Sequence, residues 1–348
     1  MRVVLSEDHR SHFPTGELYE RELVRPFECP ERWDHVVAAL DRASREVVGF
    51  DDRTTPDTVD LDRVRRVHDP DYVDFLAGFW DAWTTSGRTG DAIPTMFPVR
   101  GLHQDRIPDE PEGRLGYFAL AAETAITAGT WRAASASAAI AQTAQRLVAG
   151  GEPVAFGLCR PPGHHASADQ FGGYCFLNNA AITAEGFLVD GAERVAVLDI
   201  DFHHGNGTQS IFWERSDVLF ASLHGHPSDA FPHFLGYADE VGTGAGEGFT
   251  RNYPMRPGTA FDQWSTALDD ACGHVATHRP DAVVVSLGVD AFEDDPISFF
   301  RLASDDFTSV GRRIGALGIP TVYVMEGGYA VDEIGTNVVN VLVGHQSA

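Results

Sequence analysis

The feature that most limits how this chain can fold is an alternation. Short, nearly unbroken apolar runs lie at Val3–Leu5, Val154–Leu158, Val195–Ile200, Val218–Leu223, Ala282–Leu287 and Thr321–Met325. Helical patterns are interleaved with them at Glu31–Val48, Thr130–Ala149, Asn178–Leu188, Phe261–His278, Asp305–Leu317 and Ile334–Val343. Runs this short, rich in Val, Ile and Phe with little polar alternation, read as strands buried on both faces. Helices between such strands carry the chain from one parallel strand to the next. The expectation is an α/β fold: a single domain over residues 1–348, with a mostly parallel central sheet and helices on both faces. No composition break or linker divides the chain, and the pattern at 130–149 ends at Gly150-Gly151, a sound helix stop.

One stretch breaks the rhythm. From about Phe79 to Asp109, Gly and Pro residues are scattered among Trp80, Trp83, Met96 and Phe97. Long irregular segments in compact domains are lids, binding loops or interfaces. The plainer reading is that the aromatics dock the segment on the core, with Trp80 and Trp83 closing a helix begun near Asp71.

Charge narrows the chemistry. The 348 residues carry 26 basic and 51 acidic side chains, a formal charge of −25, and every basic residue is arginine. Without lysine there is no Schiff-base nucleophile and no phosphate-loop lysine. So negative a charge also argues against nucleic-acid binding, because phosphate contacts need a basic patch. The acidity either draws in cationic substrates or is a solvated surface, and composition alone favours the surface. Met1–Leu5 turns polar at Ser6 with no signal-peptide pattern. The apolar run around Ala282–Val289 is too short to span a bilayer. Cys29, Cys159, Cys175 and Cys272 form neither a CxxC pair nor a disulfide framework. The expected setting is the reducing cytoplasm, with no membrane partner.

The reactive residues come directly after the strands. Val154–Leu158 is followed by Cys159-Arg160-Pro161-Pro162-Gly163-His164-His165, and Val195–Leu198 by Asp199-Ile200-Asp201-Phe202-His203-His204-Gly205-Asn206. His224 follows Val218–Leu223, Asp290 follows Ala282–Val289, and Glu326-Gly327-Gly328-Tyr329 follows Thr321–Met325. Parallel sheets build their sites beyond the carboxyl ends of the strands, so these endings point to one site. On an extended chain Asp199, Asp201 and His203 face one side and His204 the other. Strand-end Asp and His also cap helices, so Asp201 and His203 alone are a moderate signal. With Asp290 they supply two hard oxygens and an imidazole and leave coordination positions open, the pattern of a catalytic ion. Zinc is the first expectation; iron(II), cobalt or manganese fits the same ligands. His164 and His165 each need a partner to set tautomer and basicity. Asp199 and Asn206 are the candidates: a carboxylate raises a histidine pKa and an amide does not. At its strand end the Tyr329 hydroxyl is suited to donate to an oxyanion beside the ion.

Arg160–His165, Gly172–Asn179, Asp199–Thr208, Ser286–Asp290 and Glu326–Tyr329 resemble the histone deacetylase superfamily. Met1–His9, Gly16–Tyr19, Ala230–Tyr237 and Asp295–Phe300 extend the resemblance, nearly end to end, to its bacterial acetylpolyamine amidohydrolase branch. The resemblance implies an arginase/deacetylase-like fold and a zinc-dependent hydrolase of N-acetyl amides, with Asp201, His203 and Asp290 on zinc. It makes His165 the general base and acid, His164 an electrostatic partner through Asp199, and Tyr329 the residue that polarises the acetyl carbonyl. Tyr174 and Phe231 would wall a narrow channel, and Glu17, Glu112 and Glu123 match acidic positions suited to a cationic amine. A structural potassium is implied at Asp199, Asp201, His203, Ser222 and Leu223. The segment at 79–109 matches one that builds a homodimer and narrows the channel, which would exclude protein substrates. The arginase branch holds two manganese ions, but tandem histidines and Tyr329 fit the deacetylase branch. The expected function is removal of acetyl from N-acetylated polyamines or similar small amines. The alternatives are a protein lysine deacetylase of the same chemistry and a non-catalytic polyamine- or metal-binding protein.

Overall fold

The computed structural model describes residues 1–46, 49–50 and 52–348. Their centre is an eight-stranded sheet. Its spatial order is β4 (Arg53–Thr54), β1 (Arg2–Val4), β5 (Val154–Gly157), β10 (Thr321–Met325), β9 (Ala282–Leu287), β6 (Val195–Asp199), β7 (Val218–Gly225) and β8 (Thr250–Met255). Every neighbouring pair in it is parallel. An antiparallel hairpin of β2 (Glu17–Tyr19) and β3 (Glu22–Val24) forms a separate small sheet.

All residues of β5, β6, β7, β9 and β10 are buried. Successive side chains of a strand point to opposite faces, so unbroken burial means that both faces are covered. Helix α5 (Thr130–Ala149) packs on β1, β5 and β10 and against α6 (Asn179–Val189); half of its buried residues are alanine, which allows close approach. A second run of contacts links α1 (Pro30–Glu46), α10 (Val331–Gln346), α9 (Asp306–Gly315) and α8 (Phe261–His278). The α/β expectation therefore holds, and each expected strand lies within two residues of its observed ends.

Three differences are informative. The β2–β3 hairpin and strands β4 and β8 have no counterpart in the sequence reading, and β4 and β8 are the edges of the large sheet. An edge is covered less completely, so β8 reads Thr-Arg-Asn-Tyr-Pro-Met, half of it only partly buried, with Pro254 tolerated at the rim. The helix expected at 31–48 is seen to Glu46, and Val47 and Val48 lie outside the described residues. Helix α3 (Pro70–Thr85) is capped by Asp69 and carries Phe75, Leu76, Phe79 and Trp83 on its buried face. That helical spacing keeps residues 79–85 in the helix, so the irregular chain begins at 86 and runs to 110. No helix of the described residues is long and apolar enough to cross a membrane.

Strands β5, β10, β9 and β6 are adjacent at the middle of the sheet. The segments leaving their carboxyl ends therefore open onto one shared space. Strands β5 and β6 follow one another along the chain but are parted by β10 and β9, which places a crevice there.

Candidate active site

Beyond β6 the chain presents Asp201 and His203, and beyond β9 it presents Asp290. One ligand atom from each lies within 4.8 Å of the others. His203 Nδ1 is 2.9 Å from Asp290 Oδ2 and 3.3 Å from Asp201 Oδ1. Backbone N–H groups hold the carboxylates in place: Gly327 donates to Asp201 Oδ2 at 2.7 Å and Phe202 to Asp290 Oδ1 at 2.7 Å. Such close approach needs glycine. A Cβ on Gly288 would stand 2.1 Å from Asp201 Oδ2, and one on Gly327 would stand 2.5 Å from Asp290 Oδ2. Both aspartates are fully buried. Burial, then the Asp201 charge, pushes Asp290 up to about 7, because two dry carboxylates this close resist joint ionisation. A divalent cation is the natural counter-charge, and two carboxylates with one imidazole nitrogen fit it.

His164 and His165 leave β5 on the Pro161-Pro162-Gly163 turn with ring centroids 4.1 Å apart. Their partners differ: His164 Nδ1 is 3.0 Å from Asp199 Oδ2, and His165 Nδ1 is 2.6 Å from Asn206 Oδ1. Burial alone would lower the His164 pKa, but the Asp201 and Asp199 carboxylates outweigh it and raise it to about 10. His165 has only an amide. Burial, then the charges of His164 and His203, holds it well below the ordinary histidine range. One ring is thus poised as a cation and its neighbour as a neutral base.

Tyr329 follows β10. Its backbone N–H donates to Asp295 Oδ2 at 2.7 Å, and the Arg32 guanidinium lies 4.9 Å from its ring centroid. Burial keeps its hydroxyl protonated well past the ordinary phenol range. Arg32, on α1, also donates to the carbonyls of Gly328 at 2.6 Å and Glu326 at 2.5 Å. It pairs at 2.9 Å with Glu28, which Arg160 shares at 2.7 Å. Glu326 Oε2 accepts the N–H groups of Gly163 at 2.6 Å and His164 at 3.1 Å, so the tyrosine turn also fastens the histidine turn. Arg32, Glu28 and the Glu326 clamp were missed by the sequence reading. The i,i+4 spacing of Glu28 and Arg32, just before and within α1, and the place of Glu326 at its strand end are the signals that hint at them.

His165, His203 and Tyr329 line a cavity of about 400 Å³ whose walls include Tyr174, Phe202, Phe231 and Phe299. Phe231 stands edge-on to His165 at 5.0 Å, and Tyr174 lies 5.6 Å from Tyr329. Of the three expected glutamates only Glu123 lines this cavity, where it accepts the Gly173 N–H at 2.8 Å. Glu17 is buried behind the wall and accepts the Tyr174 hydroxyl at 3.0 Å; burial pushes its pKa up to about 7. Glu112, on α4 (Pro111–Tyr117), lies 3.5 Å from Arg88 and is not among the lining residues. Glu20 and Asp229, which carried no expectation, line the cavity as well. Ser222 lies in register with Asp199, next to Leu223, and its hydroxyl is 2.9 Å from His224 Nδ1.

Known proteins resemble this chain in sequence and in fold. The histone deacetylase domain family matches residues 26–344. The acetylpolyamine amidohydrolase of Mycoplana ramosa is 55% identical over 344 residues, covering 99% of each chain. Acetylpolyamine amidohydrolase 1 of Pseudomonas aeruginosa is 52% identical over 349 residues, covering 100% of this chain and 99% of that one. The crystal structure of acetylpolyamine aminohydrolase from Burkholderia pseudomallei has a TM-score of 0.91 at 37% identity and covers 100% of this chain and 99% of that one. Agreement on this scale, in sequence and in fold, makes the chain a member of the histone deacetylase family and a hydrolytic deacetylase.

Proposed function

We propose that this deacetylase removes acetyl groups from N-acetylated polyamines and similar small cationic amines. It would do so with one divalent ion, zinc first among zinc, iron(II), cobalt and manganese, held by Asp201, His203 and Asp290. The observation that carries the reading is the unequal pair His164 and His165 set beside that ligand cluster in one aromatic-walled cavity. An ion bound there would lower the pKa of water and polarise an acyl carbonyl.

The protein's own groups supply the rest. The His165 Nδ1–H donates to Asn206, which leaves Nε2 to take the proton of the attacking water and later pass it to the leaving amine. His164, held cationic by Asp201 and Asp199, favours the negative charge that develops beside it. The Tyr329 hydroxyl donates to the oxygen of the tetrahedral intermediate. Acetate and a free amine leave.

Tyr174 and Phe231 wall a slot suited to a thin alkyl chain, and Glu123 faces the amine end. Glu17 acts through the Tyr174 hydroxyl. Glu112 would face substrate across a homodimer built on the segment at 79–109, in which Met96, Phe97, Val99 and Leu102 are exposed. A potassium ion on Asp199, Asp201, His203, Ser222 and Leu223 would balance the fully buried Asp199. The test pairs metal analysis with rates on N-acetylputrescine, acetylspermidine and an acetyl-lysine peptide. The polyamines should be preferred, with one catalytic ion per chain that Asp201→Ala loses. Preference for the peptide would assign the chain to protein deacetylation instead. Stoichiometric metal in Asp201→Ala would overturn the ligand set.

A further inference from the structure

A second group of ligand atoms lies behind the catalytic histidines. His164, Cys175 and Glu326 each present one within 4.8 Å of the others, and all three side chains are buried. None lines the cavity, but His164 adjoins the His165 ring, and the Cys175 thiol donates to the Gly173 carbonyl at 3.3 Å. Glu326 uses only one of its oxygens. Oε2 accepts two N–H groups, while the buried Oε1 has no hydrogen-bond partner. An unpartnered carboxylate oxygen in so dry a place calls for a proton or a cation. The deacetylation mechanism uses neither this oxygen nor the thiol.

Thiolate, carboxylate and imidazole together are ligands for zinc and other thiophilic ions. We propose that His164, Cys175 and Glu326 form a second, inhibitory site for a thiophilic divalent cation, separate from the Asp201, His203 and Asp290 cluster. The ion replaces the thiol proton of Cys175, which leaves to solvent, and thiolate and carboxylate neutralise the dication. His164 Nδ1 lies 3.0 Å from Asp199 Oδ2 and Nε2 lies 3.8 Å from Asp201 Oδ1, so Nε2 is the less committed nitrogen and the one that takes the ion. Binding there also expels the Nε2 proton of His164 to solvent, so two protons leave for each ion bound, and the ring that adjoins His165 is tied up by the ion. Occupancy silences the enzyme without displacing the catalytic ion.

The probe is cadmium chloride added to enzyme already loaded with its catalytic metal. Total bound metal, near-ultraviolet thiolate-to-cadmium absorption and deacetylation rate are followed on the same samples. Cadmium should add a second ion per chain, and the absorption should appear in step with the loss of rate. Cys175→Ser should abolish the absorption. Cys175→Ser and Glu326→Gln should each raise the cadmium needed for half-inhibition by about tenfold or more, at least the effect of losing a supporting contact to a metal. The inference is wrong if inhibition leaves total metal constant, which would mean displacement at the catalytic cluster. It is equally wrong if inhibition develops without thiolate absorption, if no second ion binds, or if Glu326→Gln and Cys175→Ser are inhibited like the parent.

Discussion

Asn206 Oδ1 stands 2.6 Å from Nδ1 of His165, a neutral amide where the adjoining histidine has a carboxylate at 3.0 Å. The asymmetry sets which ring can accept a proton. In Asn206→Asp the new carboxylate should raise the His165 pKa. Below its pKa a histidine is already protonated and cannot act as a base. The acid limb of kcat/KM should therefore move to higher pH, whereas in the parent burial and the His164 charge hold His165 well below the ordinary range. A pH–rate profile of both proteins decides it. An unmoved acid limb would remove His165 from the role of base.

Tyr329→Phe deletes only a hydroxyl from a side chain whose place is set by Asp295 and Arg32. The expected result is a fall in kcat of about 10²–10³, with KM and metal content little changed. A fall confined to KM would assign the hydroxyl to substrate binding.

Glu123 is the acidic residue that both lines the cavity and matches an expected amine-facing position. Glu123→Gln should raise KM for an acetylated polyamine by about two- to fivefold, the scale of a partly exposed ion pair. KM for an uncharged N-alkylacetamide should not move. Added salt should shrink the difference between the two proteins, and an equal rise for both substrates would mean that Glu123 only shapes the wall.

Arg32 is buried and pairs with Glu28 while holding two carbonyls of the Tyr329 turn. Arg32→Ala should cost about 3–5 kcal/mol of stability, as for breaking a buried ion pair, read from denaturant unfolding. Activity should fall as well, through the displaced tyrosine.

The central strands were legible because each is covered on both faces, so each shows as a continuous apolar run with a reactive residue at its end. That is why Asp201, His203, Asp290, His164, His165 and Tyr329 could be read off and are brought together. Strand β8 was not legible, because an edge need not be apolar throughout. Arg32 was not legible as part of the site, because it lies nearly the whole chain away from Gly328 and only the packing of α1 brings them together. The place of Glu17 was hidden for a similar reason: a carboxylate that holds a phenol and one that faces solvent look alike in sequence.

The β2–β3 hairpin is a sheet of its own, yet Leu18, Tyr19 and Glu20 at its turn line the cavity that ends on residues anchored in the large sheet. The entrance and the reaction centre thus rest on separate sheets, joined where Glu17 of β2 holds the Tyr174 hydroxyl. Selection can alter which amine is admitted without disturbing how the amide is cut, so substrate range can diverge among relatives faster than their chemistry.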